Sequence, residues 1–457
     1  MDVLICHFPP MFSWFLPPAP SILIGACNWL GLTSKFIDFA KIQAQTQTTP
    51  DVWAQNIVAD NPKLVAFSLF SFQSQEISRE LASEIKKLNP NIKIIAGGPG
   101  IKVAINSDDL SYINELINNN LIDYYHEGDS EYWWPKFLIE FFDIDQHIDF
   151  IKEIPYFPDY SKYDVDYYQS QAEKNNQPLW IPIVGSKGCV RRCTFCEIPD
   201  RWKFQQRDPD RVVEEMRLAL QYIPNGTFSF ADSLINGSIP AFDKLLDNII
   251  KLKQDYPTLS WTGQFIIRNA KIANEAYWKK IAQSGATGLQ IGVETGSDRL
   301  RADMQKQFTN EELDQSLQYM EQFGLSCTFL LLVGYPTETD EDWKQTLHML
   351  ERYKNYANTT IKYIQPGPIM GINPGTPIYR EAVETKEIIL TKDLKVWFNK
   401  QNITNTMEVR VARRNQLIKY ATELGYSLYI DLHIMGEEID QTIDRNKNII
   451  RLIEKQR

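Results

Sequence analysis

The sequence predicts an α/β protein with two successive runs of strands and helices, followed by a charged helical segment. Short apolar runs alternate with amphipathic segments over residues 1–140 and again over 181–385, which is typical of parallel sheets covered by helices. Between the two runs, residues 141–180 mix prolines and tyrosines with charges and keep no steady period, which indicates a connector. A chain of 457 residues is long enough for two or three domains.

The first run predicts five strands of a parallel sheet. The run at Val3–Cys6 ends before two prolines, and the run at Ile92–Ala96 is stopped by Gly97-Gly98-Pro99-Gly100. The predicted strands are Val3–Cys6, Lys35–Phe39, Lys63–Phe70, Ile92–Ala96 and Ile122–Tyr125, and the helices between them are Ser21–Leu30, Val52–Asp60, Gln75–Leu88 and Leu110–Asn118. Loops at the carboxyl ends of such strands form a ligand crevice.

The second run predicts six strands of a partial (β/α)6 barrel, whose functional groups lie at the carboxyl ends of the strands. These strands are Ile181–Val184, Thr227–Ala231, Ser260–Ile267, Gly288–Val293, Cys327–Val333 and Ile361–Ile364. An intervening helix covers Pro209–Ala219. Residues 386–457 predict a C-terminal helical cap with helices at Met407–Leu424 and Thr442–Lys455, and we expect it to lie near the substrate mouth of the barrel.

The composition excludes several classes of protein. The chain has 48 basic and 58 acidic residues, a net charge of −10, which argues against a broad nucleic-acid surface. Cys6, Cys27 and Cys327 lie in apolar runs and predict packed core residues rather than a disulfide framework. No apolar run reaches membrane-spanning length, and the first residues do not form a signal peptide. We therefore expect a cytoplasmic protein without a membrane partner.

The other three cysteines, Cys189, Cys193 and Cys196, have the spacing Cys-x-x-x-Cys-x-x-Cys. Three thiolates on one tight loop can hold three irons of a [4Fe–4S] cluster, which leaves the fourth iron without a protein ligand. An open coordination position is where a substrate or cosubstrate binds and reacts. The alternatives are a structural zinc site or core packing, but no fourth Cys or His follows nearby, so the spacing favours an iron–sulfur cluster.

This motif, with Phe195 before the last cysteine, resembles the signature of the radical S-adenosylmethionine (SAM) enzymes. The resemblance implies that the open iron chelates the amino and carboxylate groups of SAM. One electron from the cluster then cleaves the sulfonium and yields a 5′-deoxyadenosyl radical, which abstracts a hydrogen atom from an unactivated C–H bond.

Several strand ends resemble the SAM-binding motifs of that family. Asp232-Ser233 lies where the family has Gly-Gly-Glu, which holds the methionyl amino group, and Glu294 lies where the ribose or methionyl part is contacted. Gly334, in Leu-Val-Gly-Tyr-Pro-Thr-Glu, resembles the adenine-side motif. Arg268 and Lys306 are candidates for a charge-assisted pair with the SAM carboxylate. Each of these residues also has a structural alternative as a turn, a helix cap or an ion pair.

The first run resembles the Rossmann-like (flavodoxin-like) cobalamin-binding domain that precedes the radical barrel in one large subfamily. The resemblance rests on the two prolines after the first strand and on strand-end residues that we take as candidate cobalamin contacts: Ser68, Gly97, Gly98, Pro99, Glu127 and Gly128. The cobalt-ligating motif Asp-x-His-x-x-Gly is missing, so cobalamin would bind without histidine ligation. The alternative is a flavodoxin-like domain that has lost its ligand.

Together the resemblances imply a cobalamin-dependent radical SAM enzyme with a [4Fe–4S] cluster, SAM and cobalamin as cofactors. The expected domains are a cobalamin-binding domain at 1–140, a connector at 141–180, the radical barrel at 181–385 and a helical region at 386–457. The most common reaction in that group is methylation of an unactivated carbon. There, one SAM methylates cobalamin, a second gives the radical, and the substrate radical takes the methyl group from methylcobalamin.

Other functions stay open at this point. The first alternative is a radical enzyme that catalyses cyclisation or rearrangement, and the second is a non-catalytic cobalamin or iron–sulfur sensor. Methylthiolation is less expected, because those enzymes carry three further cysteines in the N-terminal domain and this region has only Cys6 and Cys27. The expected partners are an unidentified small-molecule or peptide substrate and a flavodoxin, ferredoxin or reductase as electron donor.

Overall fold

The structure is a computed structural model that describes residues 1–9, 14–46, 48–102, 109–146, 154–198, 203–367, 369–391, 394–430 and 449–451. The chain divides into two compact units, Met1–Ile183 with Glu214–Phe228, and Val184–Val213 with Ser229–Arg457. Its two large sheets have five and eight strands, and the predicted α/β class is confirmed. The finer domain boundaries expected at residues 140, 180 and 385 stay predictions.

The first unit contains a five-stranded parallel sheet in the order β2-β1-β3-β4-β5. Its strands are β1 Val3–His7, β2 Ser34–Asp38, β3 Leu64–Ser68, β4 Lys93–Gly97 and β5 Tyr124–His126. This order is the flavodoxin-like one, in which the connections change direction between β1 and β3. The five predicted strands are confirmed, although β5 begins two residues late. Asp123, just before it, accepts hydrogen bonds from Ile94 N, Lys86 Nζ and Lys93 Nζ.

Helices cover the sheet of the first unit. They are α1 Pro18–Trp29, α2 Phe39–Thr46, α3 Pro50–Ala59, α4 Gln75–Leu88, α5 Ser111–Asn118, α6 Ser130–Phe142 and α7 Val165–Lys174. One hydrophobic cluster joins alternate residues of β1 and β3 to α3, α4 and α5, because side chains alternate between the two faces of a strand. Helix α2 was not predicted. Phe39 is its only buried residue, so its sequence shows no apolar face of helical period.

The segment predicted as a connector packs within the first unit through its tyrosines. Tyr163 Oη donates to Pro17 O at 2.7 Å, Tyr156 Oη donates to Glu131 O at 2.8 Å, and Tyr168 Oη donates to the Asp38 carboxylate. A buried tyrosine needs a partner for its hydroxyl group, so these bonds fix where the segment lies.

The larger sheet has eight strands in the order β17-β16-β13-β12-β11-β10-β9-β6. They are β6 Trp180–Ile183, β9 Thr227–Phe230, β10 Ser260–Phe265, β11 Ala286–Glu294, β12 Cys327–Leu331, β13 Ile361–Gln365, β16 Leu428–Ile430 and β17 Ile449–Arg451. The six predicted strands are confirmed. The sequence missed β16 and β17, which have only three residues each and therefore show no clear period. The helix predicted at Thr442–Lys455 is wrong at β17, and the rest of it lies outside the described residues.

Two small antiparallel pairs complete the strands, β7 Ser186–Lys187 with β8 Gln205–Gln206, and β14 Ile388–Leu390 with β15 Trp397–Asn399. The remaining helices are α8 Pro209–Leu220, α9 Ile239–Asp255, α10 Glu275–Gln283, α11 Asp298–Asp303, α12 Asn310–Gln322, α13 Asp340–Arg352, α14 Pro377–Thr385 and α15 Met407–Glu423. Helix α15 confirms the predicted Met407–Leu424. Within the part of the chain that the structure describes, every helix is too short or too polar to cross a membrane.

Candidate active site

The strand ends of the first sheet bring four of the candidate cobalamin contacts together. Ser68 of β3 pairs in register with Gly97 of β4, and Leu69 N donates to Gly97 O at 2.9 Å. Gly98 has a φ of 96°, and a Cβ there would lie 2.5 Å from Leu69 O, so only glycine fits beside this loop. Pro99 follows it. These residues therefore form a close-packed shelf at the carboxyl end of β3 and β4.

Glu127 and Gly128 follow the edge strand β5, one strand away from this shelf. The exposed Glu127 carboxylate pairs with Lys102 Nζ, and the ring of His126 stacks on Trp133 with centroids 4.2 Å apart. Burial lowers the pKa of His126. His7, at the end of β1, is only 1% exposed, so its ring is not available at the surface.

A crevice lies at the switch point of the first sheet, and its lining residues are not among the candidate cobalamin contacts. It has a volume of about 540 Å³ and is lined by residues that follow β1, α2 and β3, among them Pro9, Thr48, Gln73 and Glu76. Ligands of open α/β sheets bind at such switch points, so this is the expected place for one in the first unit.

The cysteine loop, residues 188–197, belongs to the second unit. Cys193 is buried, Cys189 and Cys196 are half-buried, and all three thiols are free. Cys196 N donates to Cys193 O at 3.1 Å, which keeps the loop tight. Burial raises the pKa of Cys193 to about 11 and also raises the pKa of Cys196. These thiols must lose their protons when they bind a metal.

Among the described residues, no three His, Cys, Asp or Glu side chains converge as they would on a single metal ion. A [4Fe–4S] cluster does not require this convergence, because each cysteine binds a different iron.

Hydrogen bonds fix the cysteine loop to the loop after α11 and to α14. Thr194 N donates to Met304 O at 3.2 Å, and Ile378 N donates to Thr194 O at 3.0 Å. The Thr194 hydroxyl is 2.7 Å from Tyr335 Oη, and Arg191 donates to the side chain of Gln307. The loop therefore has a defined place in the second unit.

Lys306 and Glu294 form an ion pair beside this loop. Lys306 Nζ lies 2.7 Å from Glu294 Oε1, and it lies 5.9 Å from the centre of the Phe195 ring. Burial alone would lower the pKa of Lys306, but the charges of Glu294, Cys193 and Cys196 outweigh burial and hold that pKa above its ordinary value. Lys306 is thus the cation that faces Cys193 and Cys196.

Asp232 points at the backbone that leads into the cysteine loop. Gly185 N donates to Asp232 Oδ1 at 2.7 Å, and Ser186 Oγ donates to Oδ2 at 2.6 Å. Burial raises the pKa of Asp232 to about 6. The carboxylate therefore braces the strand before the cysteines, while Ser233, half-buried, follows it.

Arg268 approaches the loop from the end of β10. Its guanidinium donates to Asn236 O and, at 2.8 Å, to Gly237 O. Burial lowers the pKa of Arg268, the charge of Arg191 acts in the same direction, and Cys189 opposes it. Arg268 is therefore a second cation near the loop, on the side of Cys189.

The loop after β12 is held by the C-terminal segment. Gly334, with a φ of 88°, lies against the stem of Arg410, and its N–H donates to Glu338 Oε2 at 3.0 Å. Arg413 pairs with the same carboxylate at 2.9 Å. Three asparagine side chains donate to carbonyls of residues 335–338, and these are Asn399, Asn402 and Asn405. Sequence reasoning missed these contacts, because the asparagines and arginines of this segment follow no motif.

The comparison with known families concerns this same unit. Residues 183–350 match the model of the Radical SAM superfamily. This part of the chain is therefore similar to a radical SAM domain. The match includes the cysteine loop, Asp232, Arg268, the Lys306–Glu294 pair and Gly334.

The curated proteins that resemble this chain are distant. An uncharacterized methyltransferase of Pyrococcus horikoshii is 22% identical over 63% of this chain and 58% of its own length. A tRNA-2-methylthio-N(6)-dimethylallyladenosine synthase of Thermosipho africanus is 25% identical over 63% of this chain and 68% of its own. A synthase of the same name from Fervidobacterium nodosum matches over 45% of its length, so the chain spans less than two thirds of some relatives.

Two solved structures have the same fold over most of the chain. The radical SAM methyltransferase TsrM of Kitasatospora setae, with cobalamin and a [4Fe–4S] cluster bound, superposes with a TM-score of 0.60 at 18% identity and covers 84% of this chain and 75% of its own. The cobalamin-dependent radical SAM enzyme OxsB superposes with a TM-score of 0.61 at 14% identity over 93% and 67%. The chain therefore shares its fold with these two structures.

Proposed function

We propose that this protein is a cobalamin-dependent radical SAM enzyme that methylates an unactivated carbon. The observation that carries the proposal is the loop of three free cysteines, fixed beside two cations in a radical SAM domain. The flavodoxin-like strand order of the first unit supports the cobalamin part, as does the fold shared with TsrM and OxsB.

The cysteine loop fits an iron–sulfur cluster by the chemistry of its donors. Cys189, Cys193 and Cys196 supply three thiolates at the spacing that leaves one iron open, and no disulfide removes any of them. When bound, the cluster supplies the electron that cleaves SAM. The protein holds the loop rigid through Thr194 and keeps Cys193 away from water, which protects an oxygen-labile site.

The surrounding residues fit SAM in distinct roles. Arg268 and Lys306 are the cations available for the carboxylate of SAM, and Glu294 can accept hydrogen bonds from its ribose hydroxyls or its amino group. The loop at Gly334 offers backbone groups to the adenine. The Asp232 carboxylate makes its hydrogen bonds within the protein, so we assign it to bracing the cysteine loop. We assign the amino group of SAM to Glu294 and to Ser233, which follows Asp232 in the chain.

The carboxyl edge of the first sheet fits a flat ligand such as cobalamin. The shelf of Ser68, Gly97, Gly98 and Pro99 presents small side chains, with Glu127 and Gly128 beyond it and the crevice of about 540 Å³ at the switch point. Cobalamin supplies a methyl carrier when bound. With His7 buried and the ligating motif missing, these residues would hold cobalamin without a histidine on the cobalt.

A second candidate is a radical rearrangement or cyclisation without methyl transfer. This candidate is supported by OxsB, which shares the fold and is named as a cobalamin-dependent radical SAM enzyme without mention of methyl transfer. Methylthiolation, the activity named for several relatives, is disfavoured because Cys6 and Cys27 are both fully buried in the first unit. A non-catalytic sensor is the third possibility, and cleavage of SAM by the protein would exclude it.

The test of the proposal uses single cysteine variants. We expect Cys189→Ala, Cys193→Ala and Cys196→Ala to lose the cluster absorbance and all production of 5′-deoxyadenosine with SAM and a strong reductant. Cys327→Ala is the matched control, because Cys327 is buried in β12 away from the loop. An unchanged iron content in the three loop variants would refute the cluster assignment. A wild-type protein that holds an intact cluster but does not cleave SAM would favour the sensor. A flavodoxin or ferredoxin is the class of electron donor to supply in place of the reductant.

A further inference from the structure

The Lys306–Glu294 ion pair is more enclosed than a surface pair. The two side chains are 12% and 11% exposed, and their charged atoms lie 2.7 Å apart. Lys306 Nζ also lies 5.9 Å from the ring of Phe195, which stands just before Cys196 in the cysteine loop. Of the pair, the Lys306 charge acts to lower the pKa of Cys193 and the Glu294 charge acts to raise it, although burial has the larger effect on that thiol. Two opposite charges therefore act on the same cysteine.

The backbone at and beside the Lys306–Glu294 pair has left-handed conformations. Glu294 has a φ of 64°, and Gln305 and Gln307, on either side of Lys306, each have a φ of 58°. Non-glycine residues in this left-handed region are strained, and such residues cluster at functional sites. Gly292 leaves the space for the pair, since a Cβ there would lie 2.5 Å from Lys306 Nζ and 2.6 Å from Glu294 Oε1.

Stability alone does not account for this arrangement. A buried ion pair contributes little net stability, because the cost of removing both charges from water offsets their attraction. A charge in a site with little water is screened weakly, so it acts strongly on a neighbouring metal group. The reduction potential of an iron–sulfur cluster depends on local charge and solvent exposure.

We propose that Lys306 and Glu294 set the reduction potential of the cluster from opposite directions. Reduction adds one negative charge to the cluster, so the Lys306 cation favours the reduced form and the Glu294 carboxylate disfavours it. This effect of the Lys306 charge on the potential is separate from the contact with the SAM carboxylate that we propose for the same side chain, so it is present in the protein without SAM. The inference rests on the proposed [4Fe–4S] assignment.

The test is a redox titration of the anaerobically reconstituted full chain without SAM, followed by the electron paramagnetic resonance signal of the reduced cluster. We expect Lys306→Met to lower the midpoint potential and Glu294→Gln to raise it, each by about tenfold in the reduction equilibrium, or 59 mV for one electron. Lys306→Arg should stay near wild type because it keeps the charge. The matched control is Lys280→Met, since Lys280 lies on α10 and pairs with Asp243 and Asp247 of α9 rather than with a group of the cysteine loop.

Opposite shifts in the two variants would support the inference, because a merely structural role would move both in the same direction or lose the cluster. Shifts of the same sign, or unchanged potentials at wild-type iron content, would overturn it. Should Lys306→Met fail to retain a cluster, Glu294→Gln decides, and an unchanged potential there overturns the inference. A wild-type protein that forms no cluster would instead refute the proposed function itself.

Discussion

At the scale of single residues, Gly292 and Asp232 have roles that follow from their immediate surroundings. Gly292 leaves space for the Lys306–Glu294 pair, and Asp232 holds the strand before the cysteine loop with two short hydrogen bonds. Neither needs to touch a cofactor to affect one, because each acts on a neighbour at the proposed site.

We expect Gly292→Ala to displace the ion pair, since the added methyl group would overlap both charged atoms. SAM affinity should fall about tenfold, measured by equilibrium binding to the reconstituted protein, while the far-ultraviolet circular dichroism stays unchanged. Gly288→Ala on the same strand is the matched control, because its Cβ would meet only Thr262 Oγ1 at 3.7 Å. Equal affinities for the two variants would contradict the role given to Gly292.

The buried Asp232 carboxyl group predicts that the stability of the protein depends on pH. Burial raises its pKa from 3.8 to about 6, so the folded protein holds the proton more tightly than the unfolded chain. The stability that this group contributes is therefore fully present below about pH 4 and is lost as the pH rises through 6. Asparagine keeps an oxygen for Gly185 N and cannot ionise. We expect Asp232→Asn to melt about 2–4 °C above wild type at pH 7.5, with the difference shrinking as the pH falls and vanishing only below about pH 4.

Differential scanning fluorimetry at several pH values measures this difference. A difference between Asp232→Asn and wild type that stays constant or shrinks as the pH rises would show that the buried carboxylate does not titrate as described. Asp243→Asn is a suitable control, because Asp243 is exposed and pairs with Lys280 at the surface.

At the scale of elements, the segment from β15 to α15 holds the loop after β12. Asn402 Nδ2 donates to Pro336 O at 3.1 Å and to Glu338 O at 2.9 Å, and Asn405 Nδ2 donates to Tyr335 O at 2.8 Å. Arg413 adds a buried ion pair with Glu338. The predicted helical cap therefore includes residues that shape a loop assigned to the adenine of SAM.

We expect Asn402→Ala to remove the donor from Glu338 O, while Pro336 O keeps its bond from Asn399, which costs about 1–3 kcal/mol of stability and loosens the loop. SAM affinity should fall severalfold, measured by equilibrium binding, with iron content unchanged. Asn248→Ala is the matched control, because Asn248 donates only to the exposed Asp210. Loss of stability with unchanged SAM affinity would mean that this loop does not contact the cosubstrate.

At the scale of the whole molecule, the sequence predicted what depends on local pattern. The apolar runs predicted all five strands of the first sheet and six of the eight in the second, and the spacing of Cys189, Cys193 and Cys196 indicated the cluster. The pairing of Lys306 with Glu294 and the bonds of Asn402 to residues 66 and 64 positions away were not predictable, because they depend on the path of the folded chain rather than on local sequence. Strands β16 and β17 were missed because three residues show no period.

The proposed function requires one chain to hold both an iron–sulfur cluster and cobalamin. The most direct measurement is the amount of corrinoid, iron and sulfide per chain after anaerobic production with cobalamin supplied and the cluster reconstituted. We expect close to one corrinoid and one [4Fe–4S] cluster per chain. A protein that carries iron and sulfide but no corrinoid would contradict the claim and remove the basis for methyl transfer.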